Sequence, residues 1–252
     1  MIEFFLNGKK ISSNPHKNLS LLDFLRDHIQ LTGAKDGCSG QGYCGACTVL
    51  INGKPRLSCK AKLLHLDQKE VFTIEGLEIF KKHIIAESLV EKGAVQCGFC
   101  TPAIVVKTYQ LLEDHPEPTS IEIKKALSNH LCRCTGYVKI IQGIELAAKA
   151  LKEKGLPLKQ EFSNYIGARL KKYQGVETAL GQRVFTDDLF FPDMLHASLV
   201  FSDHPRAQIQ KIGITETLKA EGIVNILTDK DIPGNPITGL IYQDWPLIVA
   251  QG

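Results

Sequence analysis

The sequence has no run of about 18 consecutive apolar residues, so we expect no membrane-spanning helix. Its first eight residues have neither a basic start nor a small-residue cleavage site, which predicts a protein of the reducing cytoplasm. Lysine and arginine are scattered and give a net charge of only +3, so nucleic-acid binding has little support. The composition, 44% hydrophobic and 23% charged over 252 residues, is that of a globular protein with two or three domains.

No cysteine lies outside two compact groups of four. The first group comprises Cys38, Cys44, Cys47 and Cys59, and the second comprises Cys97, Cys100, Cys132 and Cys134. Each iron of an all-cysteine [2Fe–2S] cluster takes two thiolates, so two groups of four are what two such clusters require. An oxidised cluster carries a charge of about −2, and two would take the formal net charge from +3 to about −1.

Glycines at positions 37, 40, 42 and 45 accompany the first group. Glycine lets a loop adopt positive φ and wrap closely, so that backbone N–H groups can point at anionic sulfur. The spacing C-x5-C-x2-C has one residue more in its first gap than the plant-type ferredoxin pattern. Structural zinc usually takes two close cysteine pairs, and a reducing compartment disfavours disulfides. The first group therefore predicts a [2Fe–2S] cluster.

The second group consists of two pairs that each precede a predicted helix. Cys97 and Cys100 come directly before Thr101-Pro102, a hydroxyl cap followed by proline at the first helical position. Cys132 and Cys134 lie in the turn before a helix predicted from Val138. Helix N-termini stabilise anionic sulfur, and an antiparallel return of the chain would bring the pairs together. Taken alone, these four cysteines fit either an iron–sulfur cluster or zinc.

The hydrophobic pattern indicates an α+β protein of three regions. Residues 1–75 combine short strands, two Asn-Gly hairpin turns and one helix, which opens at Ser20 and has Leu21, Leu25 and Ile29 on one face. Residues 76–155 contain four helices. Thr119 and Glu122 form a capping box before the third helix, and the fourth is expected to end with Gly155 in the C′ position. Residues 156–168 show no period and are predicted to be a linker. Residues 169–252 return to short strands and one short helix. The strands are expected at 183–186, 195–201 and 208–214, and the helix near 215–220.

Three motifs resemble the iron–sulfur part of the molybdenum hydroxylases, the family of xanthine dehydrogenase and aldehyde oxidoreductase. They are CSGQGYCGACT at residues 38–48, QCGFCTP at 96–102 and CRCTGY at 132–137. The resemblance covers residues 1 to about 155. It implies a plant-type ferredoxin-like (β-grasp) [2Fe–2S] domain, residues 1–75, and then a four-helix [2Fe–2S] domain, residues 76–155. Where the family usually continues the second motif with glycine, this chain has Ala103.

The resemblance also implies that the second cluster lies beside a molybdopterin cofactor. Gln96 and Cys134 match positions that approach the pterin, although a glutamine flanking a helix can instead bond to local backbone. Arg133 can pair with the cluster or a cofactor phosphate, or it can be solvated.

Motifs after residue 183 resemble the opening of the molybdenum-binding subunit, so residues 169–252 are expected to begin an α/β hammerhead domain. These motifs lie at 184–188, 196–199, 202–207 and 222–228. His196 and His204 fall among them, and scaffold or turn roles are expected for both rather than metal binding. No flavin domain separates the iron–sulfur part from this region. The molybdenum-binding loops and catalytic carboxylate of the family would lie beyond residue 252, so either a second chain completes the domain or the sequence is a fragment.

Together these features predict the electron-transfer iron–sulfur subunit of a molybdenum hydroxylase, with no catalytic residues of its own. Electrons would leave a large molybdenum-binding chain, pass the second and then the first cluster, and reach an external acceptor. FAD on a further subunit is the expected acceptor, in a hetero-oligomer. A purine, an aldehyde and a nitrogen heterocycle all remain open as substrate. The alternatives are a stand-alone [2Fe–2S] carrier, against which the hammerhead-like tail argues, and a zinc-stabilised interaction module.

Overall fold

The computed structural model describes residues 1–155, 165–168, 170–215 and 217–251. Most of the predicted linker, residues 156–168, and position 169 lie outside the described residues, and the predicted domain boundaries stay predictions. The chain forms two compact units, Met1–Phe191 and Pro192–Gly252. Among the described helices, none is long and apolar enough to cross a membrane.

The first unit begins with a five-stranded mixed sheet. Its strands are β1 (Ile2–Leu6), β2 (Lys9–Ser13), β3 (Thr48–Ile51), β4 (Lys54–Leu57) and β5 (Glu70–Phe72). They lie in the order β2-β1-β5-β3-β4, and only the pair β1–β5 is parallel. Both predicted Asn-Gly turns are confirmed, because residues 7–8 and 52–53 have positive φ and close the hairpins β1–β2 and β3–β4.

The helix predicted at Ser20 forms there but is short. Ser20 accepts a hydrogen bond from the backbone N–H of Asp23 and caps α1 (Leu21–Asp23), which continues as a π-helix over Phe24–His28. Leu21 and Leu25 are buried as expected, whereas Ile29, predicted on the same face, is exposed. The prediction for Ile29 was wrong because the wider π turn ends the helix at His28.

Four helices follow, as predicted, and share one apolar core. They are α2 (Ile79–Glu91), α3 (Thr101–Asp114), α4 (Ser120–Ala126) and α5 (Val138–Lys152). The capping box of Thr119 and Glu122 opens α4, and proline lies in the first turn of α3. At the end of α5 the left-handed residue is Lys154 rather than the predicted Gly155. The N–H of Gly155 instead bonds to Ala150 O at 3.0 Å, which completes a Schellman motif.

A sixth helix, α6 (Gly175–Ala179), belongs to the first unit and packs into the same core. In the described part of the second unit, the strands are β6 (Ile237–Thr238) and β7 (Trp245–Pro246), which pair with each other. The predicted strands at 183–186, 195–201 and 208–214 do not form, because a strand needs a hydrogen-bonding neighbour and these segments find none among the described residues. The predicted short helix is a single 3₁₀ turn, Thr217–Lys219.

Candidate metal centres

The first cysteine site is built from a loop and a hairpin. Cys47 leads directly into β3, and Cys59 lies in a 3₁₀ turn, Ser58–Lys60, directly after β4. Since Thr48 and Leu57 are paired across this hairpin, Cys47 and Cys59 come to lie side by side. Ser58 fixes this approach, because both its backbone N–H and its hydroxyl donate to Cys47 O, at 3.2 and 2.8 Å.

Cys38 and Cys44 complete the first site from the two ends of a tight loop. Ser39, Gly40 and Gly42 in this loop have positive φ, and the N–H of Gly42 lies 3.3 Å from Cys38 Sγ. Burial acts to raise the pKa of Cys38, but hydrogen bonds from the backbone N–H groups of residues 42–44 lower that pKa to about 7. The loop thus favours a thiolate at Cys38.

The other thiols of the first site are held away from water. Burial raises the pKa of Cys44, and burial together with the adjacent Cys47 raises the pKa of Cys59 to about 12. These groups become thiolates only when a cation supplies the compensating charge, and coordination to a metal deprotonates a thiol outright. The site is therefore suited to a metal centre rather than to free thiol chemistry.

The second cysteine site lies where the N-terminal ends of α3 and α5 meet. Cys100 is the N-cap residue of α3, and Cys132 and Cys134 lie in the turn before α5. The return of the chain brings the two pairs together: Cys97 Sγ lies 3.5 Å from Cys134 Sγ, and the thiols of Cys100 and Cys132 are hydrogen-bond neighbours.

Tyr137 fixes the turn that carries Cys132. Its hydroxyl accepts the N–H of Cys132 at 2.8 Å and donates to His130 O at 2.9 Å. Burial opposes ionisation of Cys132, but hydrogen bonds from the hydroxyl and backbone of Thr135 lower its pKa. Burial raises the pKa of both Cys97 and Cys100. As in the first site, hydrogen bonds favour the thiolate at one cysteine, whereas burial disfavours it at two others, here Cys97 and Cys100.

In both sites the thiols form pairs. The pairs are Cys38 with Cys44, Cys47 with Cys59, Cys97 with Cys134, and Cys100 with Cys132. Within the described ranges, no three histidine, cysteine, aspartate or glutamate side chains are placed so that they could hold one metal ion. A tetrahedral zinc ion needs four ligands around one point, whereas a [2Fe–2S] cluster takes two thiolates at each of two irons. The donor sets therefore fit [2Fe–2S] clusters better than zinc.

The two sites are in direct contact, which the sequence did not reveal. The N–H of Leu131 donates to Cys44 O at 2.9 Å, so a residue beside a cysteine of the second site bonds to a cysteine of the first. Buried His130 places Nε2 3.1 Å from the hydroxyl of Thr48 in β3. Burial lowers the pKa of His130 to about 4, which leaves the ring neutral at pH 7. The position of a histidine two residues before Cys132 was the only sequence signal for this contact.

The remaining predicted residues lie on the surface. Gln96, Arg133 and Cys134 are exposed together with Cys97, so one side of the second site is open to solvent. His196 and His204 are exposed in the second unit, and the backbone N–H of His204 bonds to Ser202 Oγ at 3.0 Å in a turn. Both histidines are distant from the cysteines in the sequence. Among the described residues, neither belongs to a group of side chains that could hold a metal ion.

Comparisons with known proteins agree with this architecture. Residues 9–92 match the family described as 2Fe-2S iron-sulfur cluster binding domain, and residues 73–145 match the [2Fe-2S] binding domain. Residues 180–250 match the a/b hammerhead domain of aldehyde oxidase and xanthine dehydrogenase. The nicotinate dehydrogenase small FeS subunit of Eubacterium barkeri is 42% identical over 149 residues, which cover 59% of this chain and 94% of that subunit. The chain belongs to the molybdenum hydroxylase family.

Other molybdenum hydroxylases show how this chain relates to larger proteins. Xanthine dehydrogenase/oxidase of Rattus norvegicus is 43% identical over 158 residues, but the chain spans only 12% of its length. Aldehyde oxidoreductase from Desulfovibrio gigas superimposes with a TM-score of 0.89 at 30% identity, covering 99% of this chain and 30% of that one. Quinoline 2-oxidoreductase from Pseudomonas putida 86 gives a TM-score of 0.56 at 36% identity, covering 60% of this chain and 95% of the matched chain.

Proposed function

We propose that the chain is the electron-transfer iron–sulfur part of a molybdopterin-dependent hydroxylase or dehydrogenase. Cys38, Cys44, Cys47 and Cys59 would hold one [2Fe–2S] cluster, and Cys97, Cys100, Cys132 and Cys134 the other. When bound, such a cluster takes up and releases one electron at a time. The paired arrangement of the thiols in both sites, such as the 3.5 Å between Cys97 Sγ and Cys134 Sγ, is the observation that carries this proposal.

The chain's own residues would do three things for this relay. Backbone hydrogen bonds, such as Leu131 N–H to Cys44 O, would hold the two sites at a fixed separation. His130 lies where the two sites touch and is buried and neutral, so it adds no titrating charge there near pH 7. N–H groups and helix N-termini offset the negative charge of the sites.

The exposed side of the second site supports a direction for the relay. We place a molybdopterin cofactor, carried by a large partner chain, against this side, with Gln96 and Cys134 as the residues that approach the pterin. Both are exposed beside Cys97, so a cofactor on another chain can reach them. The first site would then face an external acceptor, such as FAD on a further subunit of a hetero-oligomer. The substrate-oxidising residues would belong to the partner.

The proposed architecture is a β-grasp ferredoxin-like domain, a four-helix domain and the start of a hammerhead domain. The mixed sheet, the four helices sharing one core and the three family matches support it. A cytoplasmic location remains part of the proposal, because a reducing compartment keeps cysteines available as thiols for a metal centre.

Metal analysis after anaerobic purification tests the proposal. We expect about four irons per chain and no zinc, since two [2Fe–2S] clusters contain four irons. One or two zinc ions without iron would contradict the clusters and favour the interaction module.

Purification from native cells through a tag on this chain tests the partner. A molybdenum-containing large subunit should be recovered with it in stoichiometric amount. Full iron content with no molybdenum and no large subunit would instead favour a stand-alone [2Fe–2S] carrier.

A further inference from the structure

Residues 171–189 extend across the first unit from its helices to its sheet region, and we call them the supporting segment. At the helical end, Lys171 Nζ lies 2.6 Å from Glu91 Oε2 of α2. Residues 178–180 are almost completely buried in the core formed by α2, α3 and α5. This burial is notable because the hammerhead family match begins at residue 180, after both iron–sulfur matches have ended.

At the other end, the supporting segment is anchored by a buried carboxylate. The Asp188 side chain, 2% exposed, lies 2.5 Å from Lys35 Nζ and 3.0 Å from Arg26 Nη2. The same carboxylate accepts the backbone N–H of Phe185 at 3.0 Å, which fixes the turn between them. Lys35 is three residues before Cys38, so this end of the segment lies next to the first cysteine site.

Between these anchors, Thr178 covers the loop that carries two ligands of the second site. Gly98, between Cys97 and Cys100, has a φ of +82°, and a Cβ atom there would collide with Thr178 Cγ2. The Thr178 hydroxyl donates to Gln174 O at 2.5 Å. In this rotamer the methyl group faces Gly98.

Phe185 supports the same loop from a second position. Its ring packs edge to face on Phe99, with ring centroids 5.6 Å apart and an interplanar angle of 84°. Lys35 Nζ lies 4.9 Å from the centroid of the Phe185 ring and holds it from the other side. Residues 98 and 99, the two residues between the ligands, thus both contact the supporting segment.

We propose that the supporting segment positions the Cys97–Cys100 loop and excludes water from residues 98 and 99, so that Thr178 and Phe185 affect the reduction potential of the second cluster more strongly than that of the first. This inference rests on the proposed function, because it requires a cluster at the second site. Solvent exposure is one of the factors that set the potential of an iron–sulfur cluster. Water stabilises the more negative, reduced state, so opening the loop to water should raise the potential.

The test is a redox titration of the full, cluster-containing chain followed by electron paramagnetic resonance. Cys47→Ser and Cys132→Ser each remove a ligand from one site and assign the two signals. Thr178→Ser deletes the methyl group over Gly98, and Phe185→Leu deletes the aromatic edge on Phe99. Both variants should shift the second-site midpoint potential to more positive values by more than they shift the first-site potential, and Thr178→Ser should leave the first-site potential unchanged.

Two matched variants separate positioning from general destabilisation. Thr178→Val keeps a methyl group over Gly98 and loses only the hydroxyl, so it should retain the wild-type second-site potential. Thr108→Ser deletes the same methyl group from an equally buried threonine two turns along α3 and should shift neither potential.

Several outcomes would overturn the inference. They are unchanged second-site potentials in Thr178→Ser and Phe185→Leu, equal shifts at both sites, and a shift in Thr178→Val as large as in Thr178→Ser. A wild-type chain that binds no iron would contradict the proposed function itself and the inference with it. Two intact clusters with an unresponsive second site would contradict the inference alone.

Discussion

The two cysteine sites are assembled in different ways. The first is formed by one loop and the hairpin β3–β4, so all its cysteines lie within residues 38–59. The second joins the ends of two helices that are separated by more than a complete helix in the sequence. Its geometry therefore depends on how α2, α3, α5 and the supporting segment pack, and two of its cysteines, Cys97 and Cys134, are exposed.

Because the sites are assembled differently, substitutions in different parts of the chain should disturb them. The first site is held by hydrogen bonds from its own sequence neighbours, such as those of the Ser58 N–H and hydroxyl to Cys47 O. The second site is held by side chains from elsewhere, including Tyr137, Thr178 and Phe185. Substitutions far from the cysteines should therefore affect the second site more than the first.

The largest effect is expected where the supporting segment is anchored beside the first site. Asp188→Asn leaves buried Lys35 without its counter-charge, which should lower the free energy of unfolding by about 3 kcal/mol. Asp187→Asn is the matched control, because Asp187 also pairs with Arg26 but its side chain is 74% exposed. Its loss should be below about 1 kcal/mol. Urea unfolding followed by far-UV circular dichroism measures both, and equal losses would contradict a buried anchor.

A similar but smaller loss is expected where the two sites touch. Gly45 has a φ of +73°, and a Cβ atom there would meet the backbone of residues 129–130. Gly45→Ala should therefore lower the free energy of unfolding by about 2–3 kcal/mol and reduce iron binding at both sites. Gly40 has a similar φ of +70° in the same loop but nothing within 4 Å of its Cβ position. Gly40→Ala should cost about 1 kcal/mol, from backbone strain alone. Equal losses of unfolding free energy in Gly45→Ala and Gly40→Ala would contradict a steric clash between a Cβ atom at position 45 and the backbone of residues 129–130.

Local sequence signals predicted most of the first unit. The Asn-Gly turns, the capping box at Thr119 and the proline at the start of α3 fixed hairpins and helix boundaries, because each acts over about four residues. The cysteine spacing gave both candidate sites for the same reason. The pairing of thiols within each site was not predictable, because it depends on tertiary packing.

These local signals could not predict contacts between residues that are far apart in the sequence. Lys35 and Asp188 meet across 153 positions, and no periodicity links them. In the second unit, alternation over residues 208–214 predicted a strand that does not form. Alternation reports which side chains could share a face, but a strand is stabilised only by a partner strand, and the sequence pattern does not supply one.

The smallest effect in this series is expected from single hydroxyl groups, where the two sites should differ most clearly. Tyr137→Phe leaves the N–H of Cys132 without its acceptor, which should cost about 1–2 kcal/mol and broaden or shift the second-site resonance signal. Tyr43→Phe is the control in the first-site loop, because its side chain is 79% exposed and forms no hydrogen bond among the described residues. It should change neither the unfolding midpoint nor the first-site signal. Because both substitutions remove one oxygen atom, a response confined to Tyr137→Phe would show that the second site depends on the hydrogen bonds of this side chain, and equal responses would contradict that dependence.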